Sequence, residues 1–222
     1  MIKRLDEALG RTNDALKSLD LTDNTIVLYT SDHACHFKTR NSEYKRSGHE
    51  SSVRVPTAFA GPGFEMGGRR QEVVSLIDLV PTLLDASGIK PPEIMPGRSL
   101  MPRIRGSTED WDNCAFIQIS ESQVARAIRT KRWKYGVVAH DKDGETESCS
   151  DAYSEDYLYD LKSDPYELQN LIAFQSHGPL CDHLRALLLR EMNKAGEEAP
   201  TIVEKERNLV GQRKVFEHEI TE

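Results

Sequence analysis

An uninterrupted strand-like run at residues 25–30 constrains the fold more than any other feature of this chain. The run reads TIVLYT, and its β-branched and aromatic residues predict a strand that is covered on both faces. A short polar turn separates it from a segment with apolar residues at helical spacing: Ile2, Leu5, Leu9, Leu16 and Leu19. Because alternation of a helix with a buried strand builds parallel sheets, the N-terminal part predicts an α/β fold.

Two further strands and a helix are predicted downstream. The strands lie at residues 57–60 and 73–77, and the second runs into a helical pattern over 78–88. Asp78 is expected to cap the start of this helix, and Gly88 suits its C-terminal end.

The pattern changes after a proline-rich loop at residues 90–102, and charged residues with glycine at 105–112 mark the expected domain boundary. Beyond it we expect a small α+β domain, in which an antiparallel sheet of short strands is followed by one helix. The predicted strands lie at residues 116–120, 125–130, 134–139 and 157–161, and the helix carries an apolar stripe of Leu180, Leu184, Leu187, Leu188 and Met192.

The sequence therefore divides into three predicted parts. Residues 1–105 form the α/β part, residues 106–196 form the small α+β domain, and residues 197–222 form a charged tail. The tail has only scattered apolar residues, and its composition predicts an extended or poorly ordered segment.

Composition and charge argue against two classes of partner. With 29 lysines and arginines against 36 acidic residues the net charge is −7, so we expect no nucleic-acid partner. No apolar run approaches the ~20 residues of a membrane span, and the N-terminal segment has no apolar signal core, which leaves localisation open. The four cysteines are scattered, which argues against a zinc ribbon and leaves disulfides open: Cys35, Cys114, Cys149 and Cys181.

Asp32 and His33 follow the predicted strand at residues 25–30. In open parallel sheets, ligands bind beyond the carboxyl ends of the strands. A carboxylate there is a natural ligand for a hard divalent cation, and the imidazole could complete the coordination or transfer a proton. Taken alone, the dipeptide favours a turn-capping aspartate and an ordinary surface histidine.

The loop that follows is locally cationic within an acidic protein. Such a loop beside a metal would attract anionic substrates and stabilise charge that develops during ester cleavage. A solvated loop with local ion pairs is the alternative, and it applies to Lys38 and Arg46 in particular. The basic residues of the loop are Lys38, Arg40, Lys45 and Arg46, accompanied by His36 and His49.

Several stretches of the chain carry a resemblance to a known family. In order they read LDEALGRTNDALKSLDLTDNTIVLYTSDH, KRSGHESSVRVP, GPGF, VVSLIDLVPTLLDASGI, PGRSLMPRI, RAIRTKRWKYG and YLYDLKSDPYELQNL. Through them, roughly residues 1–196 resemble the C-terminal half of a type I sulfatase of the alkaline-phosphatase-like superfamily. The resemblance implies the C-terminal part of a doubly wound α/β sheet, followed by the family's small C-terminal domain.

The resemblance also implies a metal and a modified nucleophile. In type I sulfatases a Cys or Ser in a C-x-P-S/A-R-like signature becomes formylglycine, whose hydrate attacks sulfur. A calcium ion, sometimes magnesium, holds that hydrate and the sulfate oxygens. Asp32 and His33 match the later pair of the family's metal ligands.

Lys45 matches the lysine of the family's K-x-x-x-x-E-x-x-x-R-x-P pattern, which reads KRSGHESSVRVP here. The resemblance implies that Lys45 contacts the sulfate and the bridging ester oxygen. His49 and His36 are additional candidates for substrate contact. The other matching positions are expected to orient the loop: Glu50, Arg54 and Pro56.

The chain also departs from the family's pattern. None of its cysteines is followed by x-Pro-Ser/Ala-Arg, so the catalytic nucleophile is not in this chain, and the family's early Asp-Asp metal pair is absent too. Ala34 stands where the family usually has glycine, and a positive φ there would strain the backbone.

These residues predict a sulfuric ester hydrolase that acts on a sulfated small molecule or saccharide, with the nucleophile supplied by a complementing N-terminal half. An enzyme of the same superfamily that cleaves phosphate or phosphonate esters is an alternative. A non-catalytic remnant that binds anions or a partner chain is another, because the α/β part has too few strands to cover a doubly wound sheet. A small transition-metal site is the fourth interpretation, formed by Asp32, His33, Cys35, His36 and His49.

Overall fold

Six α-helices and seven β-strands are present in the computed structural model, which describes residues 2–107, 111–209 and 214–222. The helices are α1 (Ile2–Ser18), α2 (Glu50–Val53), α3 (Leu79–Ala86), α4 (Met101–Ile104), α5 (Gly178–Lys194) and α6 (Glu217–Ile220). The strands are β1 (Val27–Tyr29), β2 (Ala58–Ala60), β3 (Cys114–Ile119), β4 (Val124–Thr130), β5 (Trp133–Ala139), β6 (Ala152–Asp160) and β7 (Thr201–Val203).

The chain forms two compact units that are discontinuous in sequence. The first contains residues 1–32, 56–71 and 76–110, and the second contains residues 33–55, 72–75 and 111–222. Segment 33–55 therefore packs within the second unit, although the sequence groups it with the α/β part. The division at residue 105 stays a prediction, and positions 108–110 of the expected boundary lie outside the described residues.

In the first unit, β1 and β2 form a two-stranded sheet. They pair antiparallel, with Val27 opposite Ala60 and Tyr29 opposite Ala58. The expectation of a parallel arrangement is therefore wrong for this pair, and β1 is half-buried rather than covered on both faces. Gly61, just after β2, allows the backbone to lie this close to the residues before β1, because a Cβ there would collide with the carbonyl of Thr25.

Both helices predicted in the α/β part of the chain form, but one predicted strand does not. Residues 73–77 are not a strand: the Val73 N–H donates to Asn113 Oδ1 (3.2 Å), and its carbonyl accepts from the Trp111 indole (2.9 Å). These side chains occupy the backbone groups that a neighbouring strand would need. The Asp78 side chain does not cap α3, because its carboxylate accepts the Arg98 N–H at 3.0 Å.

A five-stranded mixed sheet is the centre of the second unit. Its strand order is β3-β4-β5-β6-β7, with antiparallel pairing up to β6 and parallel pairing between β6 and β7. Helix α5 covers the sheet, which confirms the predicted α+β arrangement. The helix packs on the sheet's core residues Trp133, Tyr135 and Leu158. Four positions of its predicted apolar stripe are fully buried: Leu180, Leu184, Leu188 and Met192.

The described residues after 196 include an extended strand, as one predicted alternative allowed, and they pack into the second unit rather than being poorly ordered. Strand β7 joins the sheet beside β6. In α6, the carbonyl of Glu219 accepts a hydrogen bond from the Trp133 indole N–H. The charged residues of this segment are ordered because they meet buried opposite charges. Arg207 lies 2.9 Å from the buried Glu155 carboxylate, and Glu219 lies 2.9 Å from Arg132.

No helix among the described residues combines the length and the apolar character that crossing a membrane requires.

Candidate functional site

The loop that carries Lys45 is closed at its base by one buried histidine. His36 is 2% exposed. Its backbone N–H donates to the Tyr44 carbonyl at 2.9 Å, and its Nε2 lies 2.9 Å from the Lys45 carbonyl. A carbonyl can only accept, so Nε2 of His36 carries the proton. His36 thus fixes the backbone of Tyr44 and Lys45.

His33 and Lys45 meet at the end of this loop. Nδ1 of His33 lies 2.8 Å from the Ala34 carbonyl, so Nδ1 carries the proton and Nε2 has a lone pair. The Lys45 ammonium lies 3.1 Å from that Nε2 and donates to it. Two of the predicted site residues are therefore in direct contact, with a cation beside a neutral imidazole.

Asp32 is the last residue of the first unit's N-terminal segment, and His33 is the first residue of the second unit. The Asp32 side chain is exposed, and its Oδ1 accepts the Ser31 hydroxyl at 3.4 Å. Only Thr30 and Ser31 separate Asp32 from the last residue of β1, so Asp32 lies near the carboxyl end of that strand.

A buried ion cluster lies beneath the loop. Lys134 on β5 has no exposed surface, and its ammonium lies 2.8 Å from Glu50 and 2.7 Å from Glu167. The backbone N–H of Glu50 donates to Glu167 at 2.8 Å. Burial opposes the ionisation of Glu50, but the charges of Lys134 and Arg129 outweigh it, and the pKa of Glu50 lies below its ordinary value. Glu50 is thus held as a carboxylate at the start of α2.

Arg40 ties the same loop to a turn after β6. Its guanidinium donates to the carbonyls of Tyr166 (2.6 Å) and Glu167 (2.8 Å). Glu167 has a positive φ of 55°, a conformation that non-glycine residues rarely adopt and that neighbouring contacts must maintain. Together with the ion cluster, this contact fixes the loop on the second unit's sheet.

His49 packs against two tyrosines rather than facing open solvent. Its ring centroid lies 5.0 Å from that of Tyr157 and 5.6 Å from that of Tyr159, and its Nε2 is 3.4 Å from the Tyr159 hydroxyl. Burial, reinforced by the charges of Arg40 and Lys134, lowers the pKa of His49 to about 3. His49 is therefore neutral at physiological pH. Substrate contact by His49 or His36 stays a prediction.

The backbone of the loop has positive φ values that the sequence did not predict. Phe37, Lys38 and Arg46 have positive φ values of 52°, 61° and 62°. Ala34 is not among the positive-φ residues, so the strain that a positive φ would cause does not arise there. The charge of Arg46 is matched by Glu43 (2.9 Å) and by Glu121, as the ion-pair alternative predicted.

The transition-metal interpretation finds no support in this geometry. Within the part of the chain that the structure describes, His33, Cys35, His36 and His49 form no cluster of metal-ligating atoms. The residues that do approach one another are Asp112, Cys114 and Glu191, and their carboxylates pair with Arg190 and Lys194.

Comparison with known proteins identifies the family. The sequence model of "N-sulphoglucosamine sulphohydrolase, C-terminal" matches residues 43–194. The chain is 35% identical over 181 residues to human arylsulfatase K, a match that covers 77% of this chain. The chain belongs to the sulfatase family. It spans about a third of the curated relative's length, since the match covers 32% of human arylsulfatase K, and it corresponds to a sulfatase C-terminal region.

Other relatives and solved structures agree with a sulfatase. The choline-sulfatase of Rhizobium meliloti is 34% identical over 199 residues, which cover 87% of this chain and 36% of that protein. A protein solved with its substrate D-glucosamine-2-N,6-O-disulfate superposes with a TM-score of 0.71 at 25% identity, over 90% of this chain and 40% of the other. The phosphonate monoester hydrolase of Agrobacterium radiobacter gives 0.68 at 26% identity, over 88% and 40%. The predicted family and fold class are confirmed.

The geometry of His33 fits the divalent metal that sulfatases use. Metal-ligating histidines commonly donate their second ring N–H to a carbonyl, which fixes the tautomer and leaves the other nitrogen to bind. His33 has this arrangement through Ala34. The neighbouring Asp32 carries a carboxylate, the type of donor that calcium and magnesium prefer. The two together supply fewer than the roughly six to eight ligands that calcium takes.

The sequence did not single out two residues that lie against the loop of Lys45. The sequence predicts Lys134 only as part of a strand, yet its ammonium pairs with Glu50 and Glu167 beneath the loop. A lysine between Trp133 and Tyr135 in an apolar strand was the available signal. Tyr44 was also missed, although it directly precedes Lys45 in the sequence.

Proposed function

We propose that this chain forms, within a longer protein, the part of a sulfuric ester hydrolase that binds the sulfate group. Lys45 contacts the sulfate and the bridging ester oxygen, and Asp32 and His33 hold a divalent metal, calcium or magnesium. The observation that carries the proposal is the 3.1 Å contact between the Lys45 ammonium and Nε2 of His33. This contact brings together an ammonium that can bind an anionic oxygen and an imidazole whose tautomer suits a metal ligand.

The chemistry of these residues follows from their hydrogen bonds. A bound metal would stabilise negative charge on the sulfate oxygens as a Lewis acid. The Lys45 ammonium donates to a sulfate oxygen, and it stabilises the charge that develops on the bridging oxygen as the ester bond breaks. Nε2 of His33 has one lone pair, which cannot serve Lys45 and a metal together. If Nε2 of His33 held a metal, the Lys45 ammonium would therefore be left to donate to the substrate.

The nucleophile belongs to sequence outside this chain. By its family this nucleophile is a formylglycine, and it would come with the remaining metal ligands from an N-terminal region, either on the same polypeptide or as a complementing half.

A sulfated saccharide is the substrate class that we propose. The support is a structural relative at 25% identity that was solved with a disulfated glucosamine as its substrate.

Phosphonate or phosphate ester hydrolysis is the second candidate. It is favoured by the structural likeness to the phosphonate monoester hydrolase of Agrobacterium radiobacter at 26% identity. A lysine beside a metal-binding pair serves either tetrahedral anion.

Anion titration tests the role of Lys45. Inorganic sulfate and methylphosphonate are titrated into the 222-residue chain in calcium-containing buffer, and binding is followed by NMR of the lysine and histidine side chains. We expect sulfate to shift the resonances of Lys45 and His33, and Lys45→Met to abolish the binding. Lys38→Met is the matched control, since Lys38 is exposed in the same loop. Equal loss in both variants contradicts the assignment, and tighter binding of methylphosphonate favours the second candidate.

A further inference from the structure

Tyr44 places an exposed aromatic face beside the two residues on which the proposed function rests. Its side chain is 50% exposed. Its ring centroid lies 5.9 Å from that of the His33 imidazole and 5.6 Å from the Lys45 ammonium nitrogen. His33 and Lys45 are themselves 3.1 Å apart, so the three side chains border one small surface.

The backbone holds Tyr44 in place at this surface. Its carbonyl accepts the His36 N–H, and the next carbonyl, that of Lys45, accepts from the His36 ring, each at 2.9 Å. Because His36 is buried, this anchor is shielded from solvent. A tyrosine on a fixed backbone has only two side-chain torsions to order when a ligand binds, so the entropic cost of contact is small.

The chemistry of the ring selects the kind of leaving group that it can contact. A tyrosine ring presents a large apolar face that packs on other flat or apolar faces. The C–H face of a sugar ring and the face of an aryl ring both match it, whereas a short acyclic group has no comparable face. An ester whose sulfate oxygen accepts a hydrogen bond from Lys45 brings its leaving group next to this face.

We propose that Tyr44 is a specificity-determining residue that stacks on the ring of a cyclic sulfate ester. The inference rests on the proposed function and adds to it a preference for cyclic over acyclic leaving groups. The saccharide and the aryl ester share the chemistry that Tyr44 recognises, and the experiment separates them.

The test is a set of NMR titrations of the 222-residue chain with glucosamine 6-sulfate, 4-nitrophenyl sulfate and ethyl sulfate, in calcium-containing buffer. We expect Tyr44→Leu to weaken the binding of the cyclic esters about fivefold, as for the loss of one aromatic contact. Ethyl sulfate should bind both proteins equally, and Tyr44→Phe should retain the affinity of the original chain. Phe37→Leu is the matched control, because Phe37 is an 81% exposed ring in the same loop.

Each outcome decides the question. A fivefold loss of affinity for the saccharide alone or for the aryl ester alone supports the proposal and shows which kind of ring Tyr44 contacts. Unchanged affinity for both cyclic esters in Tyr44→Leu overturns it, as does an equal loss for ethyl sulfate or in Phe37→Leu. Both of these results leave the proposed function standing. If no sulfate ester binds in a manner that Lys45→Met abolishes, the proposed function and the role of Tyr44 fail together.

Discussion

The ammonium of Lys134 and the carboxylate of Glu167 lie 2.7 Å apart inside the protein, and neither side chain has appreciable exposure. Lys134 also faces Glu50 at 2.8 Å, so one buried cation serves two carboxylates. This arrangement joins the sheet to the loop that presents Lys45.

Lys134→Met should therefore destabilise the chain by about 3 kcal/mol, because the remaining carboxylates would be buried with too little positive charge. Chemical denaturation gives the free energy of unfolding. The matched control is Lys131→Met, at an exposed position just before β5, which should change it by less than about 0.5 kcal/mol. Similar effects of the two substitutions would show that the buried pair adds no stability.

The low pKa of His49 predicts a pH dependence of stability. Its pKa is about 3 in the folded chain against 6.5 as its ordinary value, so between these pH values the unfolded chain binds a proton that the folded chain does not. Stability from this group is complete above pH 6.5 and is lost as the pH falls towards 3. Thermal unfolding of His49→Gln between pH 4 and pH 7 should show a smaller loss than the original chain. His183→Gln, at an exposed position on α5, is the control. An identical pH slope in all three proteins would contradict the prediction.

Gly48 and Tyr157 predict a coupled effect. A Cβ at Gly48 would collide with the Tyr157 hydroxyl, which is buried without a hydrogen-bond partner among the described residues. Gly48→Ala should cost about 2 kcal/mol of stability through overpacking, whereas Tyr157→Phe should be nearly neutral and should relieve much of that cost in the double variant. Gly10→Ala in α1 meets open space and should be neutral or stabilising. Additive effects at Gly48 and Tyr157 would sink this prediction.

The absence of a C-x-P-S/A-R signature predicts that the isolated chain has no turnover on a chromogenic aryl sulfate. The measurement is release of 4-nitrophenol from 4-nitrophenyl sulfate, with an intact sulfatase as the positive control. Turnover that the Lys45→Ala variant abolishes would place a nucleophile within this chain. In a protein that includes the N-terminal region, Lys45→Ala should reduce turnover far more than Arg46→Ala, since Arg46 is already paired with Glu43.

Local patterns were sufficient to predict much of the second unit. The stripe from Leu180 to Met192 repeats at the helical period, and strands β3 to β5 have the residue types of buried strands, so each element could be read from its own sequence. Local patterns could not predict the antiparallel pairing of β1 with β2 or the packing of the charged tail. Both depend on partners distant in sequence, as the pairing of Glu155 with Arg207 shows.

The candidate site was partly predictable for the same reason. Lys45 and His33 belong to a sequence pattern. Lys134, in contrast, stabilises the loop by pairing with Glu50, which is distant from it in sequence. Its role emerges only when β5 passes beneath Glu50.

The buried carboxylate of Glu155 has a practical consequence for anyone who trims this polypeptide. The family match stops at residue 194, which looks like a natural place to cut. Glu155, however, draws the guanidinium of Arg207 and the N–H of Lys205 from beyond that point, each at 2.9 Å. A shortened gene product ending there would keep Arg185 beside the buried Glu155 carboxylate but lose Arg207, one of its two cationic partners. We would expect it to accumulate as inclusion bodies.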